Sequence, residues 1–146
     1  MIDVELTANE VHLAASHGLL RRYEKLAGKR KDRMQKERSN WDNEIEGSCA
    51  ELAWAKYREQ FWTGLAGLKA QDGVGVEIRW TKHDHGGLIV YPHDDDDAIF
   101  VLAKGFAPAY RFVGWMTGAE GKQVGRLTDF GYLVPANLLK PLKESK

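Results

Sequence analysis

The chain has 146 residues, 43% hydrophobic and 29% charged, and its 21 basic and 21 acidic side chains cancel to a formal net charge of zero. That is the size and composition of one globular domain able to bury its own core without covalent staples. Cys49 is the single cysteine, which excludes an internal disulfide framework and a CxxC zinc signature and fits a reducing compartment.

The N-terminal residues show neither a basic n-region nor an apolar h-region, and no apolar stretch approaches the ~20 residues that span a membrane. The expectation is a chain without a membrane partner, resident in the cytoplasm, or in the host cytoplasm if viral. Thr7 and Glu10 have the spacing of a capping box. The apolar spacing of Val11, Leu13, Ala14, Leu19, Leu20, Tyr23 and Leu26 then predicts a helix over 8–27, with Gly28 as a stop. Over 21–38 there are nine Lys or Arg against three acids, so the zero net charge hides a basic arm opposed to the acidic run 94–97. Two readings of the arm stand together: a solvated helix end or linker, and a nucleic-acid contact through Arg21, Arg22, Lys29, Arg30, Lys31 and Arg33. A second helix is predicted over 43–62, with Ile45, Cys49, Leu52, Ala53, Tyr57 and Phe61 on its apolar side.

Beyond Gly64 and Gly67 the period changes from 3.6 to 2. A short strand is predicted over 67–71. Val74, Val76, Ile78 and Trp80 then alternate with Gly75, Glu77, Arg79 and Thr81, the pattern of a strand with two distinct faces. The segment 83–87 reads as a hairpin loop, and further strands are predicted over 88–91, 99–103 and 110–116. Tyr132, Leu133 and Val134 lead to Pro135 and a short helix over 136–139. Helices first, then a meander of strands, favour an α+β fold over a doubly wound sheet. The expected organisation is a single domain, with an N-terminal helix and basic segment over 1–40 and a core over 41–140.

Glu77 and Arg79 are two residues apart and leave the same face of their strand. Asp72 precedes Glu77 by five residues with Gly73 and Gly75 between, the spacing of a tight bend that would set the two carboxylates side by side. Adjacent carboxylates repel unless a cation lies between them, and oxygen ligands suit Mg²⁺ or Mn²⁺ better than zinc. On the second helix Glu51 shares a face with Gly47, Ser48 and Ala55, small residues that let that face lie close to the sheet.

In this order and spacing the segment 47–57 around Glu51, then Asp72, then Glu77-Ile78-Arg79, resembles the site of the PD-(D/E)XK nucleases. The strands 88–90, 100–105 and 110–115 resemble later strands of small phage and prophage members. The resemblance covers roughly residues 43–139. It implies a restriction-endonuclease-like core with a central mixed or antiparallel sheet flanked by helices. It also implies a divalent metal, Mg²⁺ or Mn²⁺, held by Asp72, Glu77 and Glu51, and hydrolysis of a DNA phosphodiester. Arg79 stands where the family has lysine; an arginine stays charged and cannot act as a base, although it can orient water and stabilise a phosphate. Two functions therefore remain open. One is a metal-dependent DNA endonuclease with Asp72, Glu77, Arg79 and Glu51 at its centre. The other is a catalytically inactive nuclease-like fold that binds DNA or serves in a homo-oligomer or phage assembly. His83, Asp84 and His85 read as turn residues rather than metal ligands, the run 94–97 as a solvated loop, and the five tryptophans mainly as core.

Overall fold

In the computed structural model, which describes residues 1–27, 41–64, 68–69 and 75–143, the fold is α+β. Its elements are β1 (Ile2–Glu5), α1 (Ala8–Leu26), α2 (Trp41–Tyr57), β2 (Leu68–Lys69), β3 (Gly75–Thr81) and β4 (Leu88–Val90). They are followed by β5 (Ile99–Phe106), β6 (Ala109–Thr117), α3 (Gly118–Val124), β7 (Arg126–Thr128) and β8 (Gly131–Val134), with a 3-10 turn at Ala136–Leu138. A mixed five-stranded sheet has the order β1-β6-β5-β3-β2, and a second, three-stranded sheet has the order β4-β8-β7. Among the described residues no helix is long and apolar enough to cross a membrane.

β5 is the strand on which both layers meet. Phe100, Val101, Leu102 and Ala103 are all buried, the continuous apolar run expected of a strand covered on both faces. Val101 and Ala103 join Val76, Tyr110 and Phe112 in a core beneath α1 and α2, with Ile78 and Trp80 packed against it. Phe100 and Leu102 join Leu88, Val90, Met116 and Val134 on the other side, beneath the small sheet. The alternation read in β3 is therefore the observed one: Val76, Ile78 and Trp80 face the helices and Glu77 and Arg79 face away. A register shift opposite Leu102 and Ala103 inserts Val113 as an extra residue in β6. It lets Phe112 and Trp115 both serve the helix side, which a strict period of two forbids.

The helical layer is held by small residues and charge. α1 begins with the complete Thr7–Glu10 capping box. α2 buries Ser48, Cys49, Ala50, Ala53 and Ala55, which allows its axis to approach the sheet closely. It ends at Tyr57 rather than at 62, because Glu59 adopts a left-handed conformation (φ 53°) and Gln60 N–H closes back on the Ala55 carbonyl. Half-buried Glu46 accepts hydrogen bonds from the Tyr110 hydroxyl and from Ala107 N–H (3.1 Å), locking α2 to β6. Burial first, then this carboxylate, push the Tyr110 phenol well above its ordinary value.

The expected hairpin over 83–87 is not formed. β3 pairs with β5 in parallel, Val76 opposite Ile99, and β4 crosses into the second sheet to pair with β8. A parallel pair needs a crossover, and the chain over 82–98 supplies it. Pairing β1 with β6, Ile2 opposite Phe112, also makes the N-terminal residues an edge of the central sheet.

Gly18 sits where α1 crosses α2: a Cβ there would lie 2.6 Å from the Glu44 carbonyl oxygen and 2.7 Å from the Ile45 Cα. Gly18→Ala should thus destabilise the protein by about 1–2 kcal/mol in urea unfolding, overpacking outweighing the ~1 kcal/mol gain in helix propensity. A net stabilisation would show that the helices are free to separate at this point.

Candidate functional site

The five-stranded sheet divides the expected acidic set. Glu51 lies in the helical layer, where Arg21 of α1 grips it with both nitrogens: Nη1 donates to Oε1 at 3.0 Å and Nη2 to Oε2 at 2.8 Å. Arg21 Nη2 also donates to the Gly64 carbonyl (2.9 Å), and Trp62 Nε1 lies 3.5 Å from Glu51 Oε2. Burial pulls the Arg21 guanidinium down, but the Glu51 hydrogen bond and charge, helped by Glu44 and Glu24, carry it above its ordinary value. With Glu10–Lys56 and Lys25–Glu44, this pair is one of the charge contacts strung along the seam between two antiparallel helices. Arg21 is thereby committed within the fold, and Arg22 is half-buried on the same helix. Asp72, Lys29, Arg30, Lys31 and Arg33 lie outside the described residues.

Glu77 and Arg79 do come together, on the face of β3 away from the helices. One nitrogen of Arg79, Nη2, donates to Glu77 Oε2 at 2.8 Å and to Asp94 Oδ2 at 2.9 Å. The guanidinium carbon lies 4.8 Å from the ring centre of Tyr91 and 4.9 Å from that of Phe100, so the cation rests against two aromatic faces. The planar, weakly hydrated guanidinium suits this position better than an ammonium. Exposure decides the roles: the Arg79 side chain is 15% exposed and that of Asp94 3%, whereas that of Glu77 is 44% exposed. Arg79–Asp94 is a buried pair and Glu77 its solvent-facing extension.

Asp94 was not singled out by the sequence reading, which treats 94–97 as a solvated loop. In the structure its Oδ2 also accepts from Tyr91 N–H (2.6 Å), and the loop is clamped onto α3. Lys122 Nζ donates to the Asp94 carbonyl (2.6 Å) and to Asp96 Oδ1 (2.7 Å), and Ala119 N–H reaches the Asp96 carbonyl (3.0 Å). Gly118 is required at this junction, since a Cβ would fall 2.1 Å from the Asp95 carbonyl oxygen. The signal in the sequence is indirect: an arginine on a strand face whose core partners are apolar needs a carboxylate, and four successive aspartates follow within one crossover.

The described donors do not compose a divalent-metal site. Of the three expected carboxylates, Glu77 is the one described on this face; it is bound by an arginine, and Glu51 is on the other side of the sheet. Among the described residues no three His, Cys, Asp or Glu side chains are grouped so as to hold a metal ion. The His83 and His85 rings are 5.5 Å apart in an exposed turn. No protein-family model matches the chain, and no curated protein or solved structure matches it either.

Removing one partner of a buried pair leaves the other charge uncompensated, so Asp94→Ala should cost about 3 kcal/mol in urea unfolding. Glu77→Ala, at the exposed end of the same cluster, should cost under about 1 kcal/mol. Equal losses for the two variants would contradict the assignment of Asp94 as the buried anchor.

Proposed function

We propose that this chain is a catalytically silent nuclease-like module that holds DNA through its basic segment 29–38. The observation that carries the reading is Arg79: its guanidinium occupies the space between Glu77 and Asp94 and supplies the positive charge that a metal would otherwise bring there. It cannot take a proton from water, and Glu51, the third expected acid, is neutralised by Arg21 in a different layer. The segment 29–38 carries Lys29, Arg30, Lys31, Arg33, Lys36 and Arg38 against Asp32 and Glu37. Backbone phosphate contacts of this kind need no active site and no base-specific geometry.

The active endonuclease is the second reading, favoured by the solvent-facing position of Glu77 and by Asp72 five residues before it. It requires Mg²⁺ or Mn²⁺ at Asp72 and Glu77, with Arg79 turned toward the scissile phosphate.

Duplex DNA titrated by fluorescence anisotropy in Mg²⁺ and in Mn²⁺, followed by gel analysis of the same samples, separates them. The module should bind without cutting. With about four net phosphate contacts, affinity should fall about a hundredfold between 50 and 200 mM salt. Changing Lys29, Arg30, Lys31 and Arg33 together to Gln should remove most of the binding. Metal-dependent cleavage abolished by Glu77→Ala would establish the nuclease instead, and absence of binding at low salt would overturn the DNA-holding role.

A further inference from the structure

α1 is an inside-out helix. Its inward side carries Gly18 and Ala14 together with Arg21 and Lys25, which pair with α2. Its outward side carries Leu13, Leu19, Leu20, Tyr23 and Leu26, each between 44% and 61% exposed. On a helical projection these five fall within one sector about 140° wide, along with Asn9, His12 and Ser16. Single exposed leucines are ordinary on a protein surface; five large apolar side chains forming one stripe are not.

We propose that this stripe is a two-fold interface between two copies of the chain, formed by antiparallel packing of α1 on α1. The order of side chains is what selects a second copy as the occupant. With the two-fold axis between Leu19 and Leu20, each of these leucines meets its own counterpart in the other copy, Tyr23 lies over Ser16 at the centre of the seam, and Leu26 and Leu13 come beside His12 and Ala27 of the other copy. The bulkiest residue is thus set against a small one, and leucines pack on leucines at the axis. Ser16 enters such a contact without an orphaned donor, because its hydroxyl already donates to the His12 carbonyl at 2.8 Å.

Area is consistent with this occupant. The five side chains expose roughly 500 Å² per copy, so a two-fold pair can bury up to about 1,000 Å², the lower bound of a specific interface. The chain's own segment 28–40 is a poor alternative cover, since Met34 is its one large apolar side chain among six Lys or Arg.

Sedimentation velocity on the full chain should show a monomer–dimer equilibrium in the micromolar range. Leu19→Lys with Leu20→Lys should weaken it at least about a hundredfold, while leaving the circular dichroism spectrum unchanged because neither side chain belongs to the core. Register is tested by cysteine cross-linking, with Cys49 buried and out of reach. Leu20→Cys brings two thiols within about 2 Å along the axis and should cross-link on mild oxidation. Leu26→Cys separates them by about 20 Å and should not. A monomer at all concentrations, a dimer indifferent to the double lysine variant, or cross-linking at 26 rather than 20 would overturn the proposal. So would sedimentation of a monomer with phosphatidylglycerol-containing vesicles, which would make the stripe a lipid-facing surface.

Discussion

A guanidinium beneath the surface of a protein has to find a carboxylate, and a buried carboxylate has to find a cation; each is costly alone. Arg79 and Asp94, fifteen residues apart in sequence, satisfy one another across the crossover, and much of the architecture on that side of the sheet follows from the contact. It draws the loop after β4 back against β3, where Tyr91 and Phe100 close over the guanidinium. The backbone of the same loop then becomes the surface on which Lys122 and the start of α3 are fastened. The parallel pairing of β3 with β5 and the diversion of β4 into a separate sheet are the topological counterpart of that contact.

On the opposite side the charges do different work. Glu51 sits among small residues on α2, and the space they leave is filled by α1, whose Arg21 reaches across to it. Gly18 permits the close crossing at which that reach is possible. Drawing the polar residues of α1 inward turns its apolar residues outward, so one helix both stabilises the fold and displays a surface suited to a partner. Of the three acids expected to share a metal, Glu51 and Glu77 are thus each partnered by an arginine, in separate layers.

Local pattern made much of this legible. The capping box at Thr7 and Glu10, the change of period after Gly64 and the two faces of β3 depend on neighbours in sequence, and all are present in the structure. The hairpin over 83–87 failed because a turn signal says nothing about which strand the chain pairs with afterwards. The small residues on the helical face of Glu51 mark a glutamate packed closely against a neighbour, but spacing cannot tell whether the sheet or another helix supplies its partner. α1 shows the same ambiguity: apolar periodicity marks a stripe without saying which side of the helix is inside. Asp94 was hidden among four identical residues, its importance set by Arg79 far from it in sequence. β1 and α3 were too short and too mixed in composition to announce themselves.

The central claim, that Arg79 is the resident cation of this acidic site, is tested most directly by a crystal structure of the protein soaked in Mn²⁺, with anomalous diffraction used to locate the metal. The account predicts no manganese bound to Glu77, and an Arg79 guanidinium still bridging Glu77 and Asp94. A manganese ion coordinated by Glu77 and Asp72, with Arg79 displaced, would contradict it.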